Sequence, residues 1–382
     1  MPVAAYFITG ATGVVGSEIA ARLLADGASR LLLLIRATDD VHGATRLAEL
    51  GKYWGVPPEV LQDRVEVIRG DTAVPGFGLS ATGWRKIAAT ATHIVHCAAL
   101  VRMNLPLDEA RRSAVQGAEN VVQLAHACRG SGQLQKVEFL STVGIAGRRP
   151  GILPERWVTE PRTFHNTYEQ AKAEAEGVAA EACIAGLPLT VFRPSMVVGD
   201  SASGRIIRFQ VFYHLLEFLS GRRTLGFYPS LGDARLDLVP VDFISRAVCW
   251  SSQTPATTGR ILHLCAGPQA AIPLSELRDR VRAKLRSLAV TLPPAIPLPR
   301  PMFRAALPIL RAILPNRRRA LAGLPLFLDY LQERQLFGNE ETAKLLAEAG
   351  IARPAVPEFL DRVVDYYLPR SVSPDFIARN GA

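Results

Sequence analysis

Tyr168 and Lys172 stand four residues apart in a stretch of helical period, so the phenol and the ammonium project from one face. A cation beside a phenol stabilises the phenolate, which predicts a tyrosine pKa drawn down toward a value useful for proton transfer. An ordinary helix-surface pair would share this spacing, so the neighbouring motifs decide its meaning. Thr142, with Ser141, closes an apolar run 26 residues before Tyr168. A hydroxyl there can donate a hydrogen bond to a carbonyl oxygen as negative charge develops on it, or it can simply cap backbone.

The first apolar run leads into Gly10-Ala11-Thr12-Gly13-Val14-Val15-Gly16 and then into helical text. Gly10 allows a tight turn, Gly13 lets the backbone approach a pyrophosphate and Gly16 permits close helix-to-strand packing. The strand-before and helix-after context makes this a dinucleotide-binding loop, with Gly10, Thr12, Gly13, Val14, Val15 and Gly16 as candidate contacts. Twenty residues after Gly16, at the end of the second apolar run, stands Arg36. An acidic residue at that point would suit the ribose hydroxyls of NAD, whereas an arginine suits a 2′-phosphate. NADP(H) is therefore the expected cofactor, with Arg46 as a second clamp; Asp39 and Asp40 keep NAD open.

The elements that must carry these residues follow from the hydrophobic rhythm. Continuous apolar runs at Tyr6–Thr9, Leu31–Ile35, Val65–Ile68, His93–Cys97, Val137–Leu140, Leu189–Phe192 and Ile261–Leu264 alternate with helical stretches. Unbroken rather than alternating runs are expected of parallel strands covered on both faces, hence an α/β, doubly wound, Rossmann-type sheet. An amphipathic insertion, Ile206 to Leu219, and the text beyond the proline-rich connector Pro293 to Pro301 read as a smaller, mostly helical substrate-binding lobe. The expected division is residues 1–200 with 235–266 for the dinucleotide domain, and 201–234 with 267–382 for the lobe. On the insertion Phe209, Phe212, Tyr213, Leu216 and Leu219 recur at three- and four-residue spacing. That face either lines a site for a long apolar substrate or packs against the core.

Composition removes several classes. Apolar residues are 48% and charged residues 21% of 382, which excludes disordered, collagen-like and coiled-coil chains. The net charge is 44 − 35 = +9, but no block of five like charges and no basic run interleaved with aromatics occurs, so nucleic acid is not an expected partner. Cys97, Cys128, Cys183, Cys249 and Cys265 are widely spaced, without a Cys-x-x-Cys pair, and read as small hydrophobes of a reducing compartment. No metal site is expected. Met1 runs straight into strand-like text without a basic leader, and Phe303 to Leu328 is interrupted by Arg304, Arg311, Arg317, Arg318 and Arg319. A cytoplasmic protein without a membrane span is the expectation, with Arg300 to Arg319 as a candidate basic rim for an acidic carrier, a coenzyme A phosphate or a membrane surface.

Taken together, the motifs resemble the extended short-chain dehydrogenases/reductases. The matching residues are the glycine loop, Gly70-Asp71, His96-Cys97-Ala98-Ala99, Ser141-Thr142, Tyr168-x-x-x-Lys172, Arg193-Pro194 and Val239-Pro240-Val241-Asp242. Leu34-Ile35-Arg36-Ala37, Gly78-Leu79-Ser80, Asn166-x-Tyr168-Glu169 and the run Arg193 to Gly204 make the chain most similar to the thioester-reductase and fatty acyl-CoA reductase branch. The resemblance implies that Asp71 and Thr72 contact the adenine end, that Ala98 and Ala99 pass under the cofactor, and that Pro194 and Ser195 lie near the nicotinamide. It implies NADPH-dependent reduction of an acyl thioester, on coenzyme A or a carrier protein, to an aldehyde and onward to an alcohol. Thr142 and Tyr168 would hold the oxyanion, Tyr168 give the proton and Lys172 hold the ribose. One departure stands out: Ala114-Val115-Gln116-Gly117 occurs where the family often has an asparagine opening Asn-Val-x-Gly. A dehydrogenase or epimerase of a sugar nucleotide, sterol or other secondary alcohol, and a non-catalytic dinucleotide sensor, are the alternatives.

Overall fold

The seven apolar runs form one parallel sheet. The computed structural model describes residues 4–27, 29–103, 105–313 and 335–373. Strands β1 (Ala4–Thr9), β2 (Ser29–Ile35), β3 (Val65–Arg69), β4 (His93–His96) and β5 (Lys136–Leu140) are joined by Leu189–Pro194 and Ile261–Leu264. Their order is β3-β2-β1-β4-β5, then Leu189–Pro194, then Ile261–Leu264, and every pairing is parallel. Leu31 to Ile35 of β2 are all buried, because helices cover both sides of the sheet. One layer holds helix α1 (Val14–Ala25) and helix Val241–Ser252; the other holds Ala81–Thr90, Leu107–Gly130 and Thr167–Ile184.

Strand order reverses between β1 and β4, and ligands of open α/β sheets sit in the crevice this opens at the carboxyl ends. The Thr9 hydroxyl ties the two strand ends together: it bonds His96 Nδ1 at 2.8 Å and accepts from the Ala98 N–H at 3.3 Å.

A second core belongs to the lobe. Helices Val211–Leu219, Leu274–Ser287, Arg300–Ile313 and Val356–Ser371 enclose Phe212, Leu216, Leu277, Phe303, Phe359 and Val363. Three details depart from the sequence-based expectation. The insertion is helical only from Val211, with Gln210 as its N-cap. The proline-rich connector contains a strand, Ile296–Leu298, which pairs in parallel with Phe227–Pro229. Not all of the C-terminal text joins the lobe: Gln335–Phe337 pairs with Gly151–Leu153, and Leu346 of helix Glu340–Glu348 is buried in the core beneath the main sheet. An amphipathic pattern states that a helix has an apolar face but not which core will receive it.

Among the described residues, no helix is long and apolar enough to cross a membrane, and no group of three or more His, Cys, Asp or Glu side chains could hold a metal ion. All five cysteines are free, Cys128, Cys249 and Cys265 being buried.

Candidate active site

The glycine loop turns at Gly10, whose φ of +74° is left-handed. A Cβ there would lie 2.6 Å from the Ala98 nitrogen, so the glycine lets the loops after β1 and β4 touch. Gly13, the N-cap of α1, has no side chain to occupy the helix terminus, and no acidic residue stands in the first turn. This terminus, with its N–H groups unanswered by the chain's own carboxylates, fits the pyrophosphate of a dinucleotide.

The loop after β3, which carries Asp71 and Thr72, is built around a residue that the sequence motifs did not single out. Asn120, fully buried in helix Leu107–Gly130, donates to the carbonyl oxygens of Thr72 at 3.0 Å and Val74 at 2.7 Å and accepts from the Gly76 N–H at 2.9 Å. It thereby shapes the loop that carries Asp71 and Thr72; Asp71 itself accepts from the Ala73 N–H at 2.9 Å. Only its mid-helix polarity on an otherwise apolar face marked Asn120 in the sequence.

Arg36 is exposed at the end of β2. Arg46, on helix α2 (Asp40–Trp54), donates to the Arg36 carbonyl oxygen at 2.6 Å and to Thr12 Oγ1 at 3.2 Å, which brings the glycine loop and both arginines together. The two nearby carboxylates are engaged elsewhere. Asp39 caps α2 by accepting from the His42 N–H at 2.7 Å, and Asp40 pairs with Arg69 at 2.7 Å.

Thr142 follows β5 and accepts from the Gly144 N–H at 3.1 Å; its hydroxyl lies close enough to the Tyr168 phenol to favour the ionised form. Tyr168 lies in the first turn of helix Thr167–Ile184, which Asn166 caps by accepting from the Glu169 N–H at 3.0 Å. One turn on, Lys172 is buried and donates to the Leu140 carbonyl oxygen at 2.7 Å. Ala99 lies with Tyr168 and Lys172 on a crevice of about 10 Å³, one water in size, whose far wall includes Ser113 and Ala114. The chain thus brings the glycine loop, Ala98, Ala99, Thr142, Tyr168 and Lys172 to one edge of the sheet; Pro194 and Ser195 close Leu189–Pro194 at the same edge, the Ser195 N–H donating to Leu264 at 3.1 Å.

The electrostatics correct one expectation. The Tyr168 pKa is not drawn down but pushed up to about 12, by burial first and by the Glu169 carboxylate second, with the nearby Thr142 hydroxyl opposing them. Burial lowers Lys172 to about 8 against the pull of Glu176. Within the chain alone the ammonium serves the Leu140 carbonyl, and the phenol stays neutral, poised to give a proton rather than to take one. Ser141 turns away from Tyr168 into a buried network, donating to Glu176 at 2.5 Å, and Glu176 also accepts from Arg193 Nε at 3.1 Å.

The insertion also differs from the channel expectation. Phe212, Tyr213, Leu216 and Leu219 are each no more than 1% exposed and form the lobe core, Tyr213 Oη accepting from the Gly199 N–H at 3.0 Å. Phe209 is half-buried, its ring 4.9 Å from that of Tyr213 and 4.8 Å from that of Tyr367. Their helical spacing reflects core packing, the commoner cause of such a stripe. Of the basic segment, Arg300 donates to the Ser230 carbonyl oxygen at 2.9 Å; Arg317, Arg318 and Arg319 lie outside the described residues.

Residues 8–248 match the model of an NAD-binding family described as Male sterility protein. L-2-aminoadipate reductase of Schizosaccharomyces pombe is 27% identical over 279 residues, 69% of this chain but only 19% of that protein, so the chain spans about a fifth of the relative's length. The terminal R domain of the myxalamid PKS-NRPS biosynthetic pathway superposes with a TM-score of 0.80 at 25% identity, covering 97% of this chain and 92% of that one. A thiolation-reductase di-domain from an archaeal non-ribosomal peptide synthetase shares the fold, with a TM-score of 0.74 at 18% identity over 96% of this chain and 75% of that one.

Proposed function

The chain belongs to the NAD-binding Male sterility protein family, the thioester-reductase-like branch of the extended short-chain dehydrogenases/reductases, and from that premise we propose that it reduces a carrier-bound acyl or peptidyl thioester with NADPH. The observation that carries the reading is the placing of Thr142, Tyr168 and buried Lys172 together at the carboxyl edge of the sheet that also carries the glycine loop, with Lys172 donating to the last residue of β5.

In this reading the residues that hold the cofactor are Gly10, Thr12, Gly13, Val14, Val15 and Gly16 at the pyrophosphate and Arg36 and Arg46 at the 2′-phosphate. Asp71 and Thr72 serve the adenine; Ala98, Ala99, Pro194 and Ser195 flank the nicotinamide. Bound NADPH supplies the hydride. Thr142 Oγ1 and Tyr168 Oη donate to the thioester oxygen as it gains negative charge, in a site where buried donors need no reorganisation. Tyr168 Oη then gives its proton to that oxygen, for which a neutral phenol is the competent form. Lys172 Nζ holds the ribose and offsets charge left on Tyr168. The hemithioacetal so formed expels the carrier thiol and leaves an aldehyde.

A carrier, rather than coenzyme A, is favoured because similar proteins include a linear gramicidin synthase subunit and structural neighbours are reductase domains of PKS-NRPS and non-ribosomal peptide synthetase systems, one of them solved joined to a thiolation domain. The test is NADPH consumption with one acyl group presented on a phosphopantetheinylated carrier, on coenzyme A, or as the free aldehyde, with a sugar nucleotide alongside. Carrier-dependent turnover with aldehyde release is expected. A higher specificity constant on coenzyme A would overturn the carrier, and turnover of the sugar nucleotide alone would overturn thioester reduction.

A further inference from the structure

The segment that leads from the sheet into the lobe, residues 200–210, lies across α2. Arg205 sits with its guanidinium 4.1 Å from the centre of the Tyr53 ring and donates to the Tyr53 carbonyl oxygen. The base of the segment is pinned from both sides. Ser201 donates through its N–H and its hydroxyl to the Asp242 carboxylate, each at 2.8 Å, while Arg362 of helix Val356–Ser371 donates to the Ser201 carbonyl oxygen at 2.9 Å. This segment therefore joins the dinucleotide domain to a lobe helix.

Two and three residues past Arg205, Ile207 and Arg208 form one wall of a cavity of about 210 Å³; Thr12, Arg46, Glu49, Leu50 and Tyr53 form the others. The charges around it do not balance. Arg46 is held in place by Thr12 and the Arg36 carbonyl, and its pKa is lowered first by burial, then by the positive charges of Arg208 and Arg36, with Glu49 alone pulling the other way. The side chains of Arg36 and Arg208 make no ion pair or hydrogen bond with a described residue. Arg46 and Arg208 share the cavity wall and Arg36 is near enough to add to their repulsion, with Glu49 as the carboxylate of that wall, so an anion in the cavity would relieve the imbalance.

We infer that Arg208, carried on the lobe's side of the chain, is a third ligand of the cofactor's 2′-phosphate beside Arg36 and Arg46, so that NADPH fastens the 200–210 segment onto α2 and NADH does not. The inference rests on NADPH being the cofactor. Guanidinium groups suit a phosphate because each can offer two N–H donors in a plane, and their bonds to a dianion are charge-assisted. A phosphate held jointly from the glycine loop, α2 and the 200–210 segment couples cofactor choice to the position of the lobe's first strand of chain.

Calorimetric titration of the full chain with 2′,5′-ADP and with 5′-AMP separates the possibilities. The wild type is expected to prefer 2′,5′-ADP; Arg208→Ala should weaken that ligand about tenfold, the effect of losing one charge-assisted contact, and leave 5′-AMP unchanged. Arg208→Lys should recover part of the loss. Hydrogen exchange should show 2′,5′-ADP protecting the amides of 200–210 in the wild type and not in Arg208→Ala. A wild type that binds both nucleotides equally would overturn the NADPH reading itself. A wild type that prefers 2′,5′-ADP beside an unchanged Arg208→Ala would overturn only the role of Arg208, as would an equal loss of both ligands, which marks a residue that merely supports the fold.

Discussion

Lys172 Nζ donates to the Leu140 carbonyl oxygen across 2.7 Å, fastening helix Thr167–Ile184 to the last residue of β5, directly before Ser141 and Thr142. The bond fixes the distance between the strand that offers Thr142 and the helix that offers Tyr168. Glu176, one turn further on, accepts from Ser141 and Arg193 and favours the charged lysine. A single helix thus carries the phenol, the ammonium and the counter-charge at i, i+4 and i+8, which is why one face of it faces the strand end.

Tyr168→Phe removes the hydroxyl beside Thr142 and keeps the ring. Turnover should fall by about 10²–10⁴-fold, the usual contribution of a positioned proton donor, while NADPH affinity stays near the wild-type value. Single-turnover rates and a direct titration of NADPH check this. Undiminished single-turnover chemistry would remove Tyr168 from the proton-donating role.

The pH profile should report Lys172. Its pKa lies near 8, below the ordinary 10.5, because burial disfavours the cation. The ammonium is therefore full below pH 8 and is lost as pH rises through 8, so kcat/KM should decline above that point; the Tyr168 phenol, near 12, stays neutral throughout. Lys172→Arg, whose guanidinium does not titrate in this range, should lower activity but abolish the limb near 8. For stability the sign is opposite: the unfolded chain holds the extra proton between 8 and 10.5, so this group makes folding more favourable as pH rises through that window. An alkaline limb unchanged in Lys172→Arg would assign it to another group.

The sheet was legible because strands covered on both faces must be continuously apolar, and all seven such runs became strands; the strand order that creates the switch point came from the structure. Tyr168, Lys172 and Thr142 were legible for a different reason: chemistry demands particular side chains, and local spacing places two of them on one helix face. What the sequence could not convey was environment. The same four-residue spacing is compatible with a lysine that lowers the phenol's pKa or one that serves the Leu140 carbonyl, and burial decided in favour of the second. The role of Asn120 was not legible because its partners, the backbone of Thr72, Val74 and Gly76, lie more than forty residues away and have no sequence signature.

Asn120→Ala would leave the Thr72 and Val74 carbonyls and the Gly76 N–H without their partner. Loss of hydrogen bonds at a buried site costs about 1–3 kcal/mol, so the denaturation midpoint should fall by that equivalent. Because the loop also carries Asp71 and Thr72, affinity for adenine nucleotides should weaken while the pH limb assigned to Lys172 stays in place. Asn120→Asp keeps the acceptor for Gly76 and loses the two donors, so it should rescue little. Nucleotide affinity equal to the wild type in a destabilised Asn120→Ala would confine Asn120 to a role in folding.

Phe212→Ala distinguishes a core residue from one that lines a substrate channel. Phe212 is 1% exposed, its ring 5.4 Å from that of Tyr213 at an interplanar angle of 80°, and it belongs to the core formed with Leu277, Phe303 and Phe359. Truncating a buried phenylalanine removes its transfer free energy and leaves a cavity, together about 3–5 kcal/mol. The lobe should therefore lose stability, seen as a lower midpoint in chemical denaturation, and turnover should fall by a similar factor for short and long acyl groups. Phe212→Leu, which keeps most of the volume, should recover most of both. A channel-lining phenylalanine behaves otherwise: its loss leaves the denaturation midpoint nearly unmoved and penalises long chains selectively. Measuring the midpoint together with the specificity constants for two chain lengths separates the cases, and a selective loss on the long chain at unchanged stability would return this helix face to substrate binding.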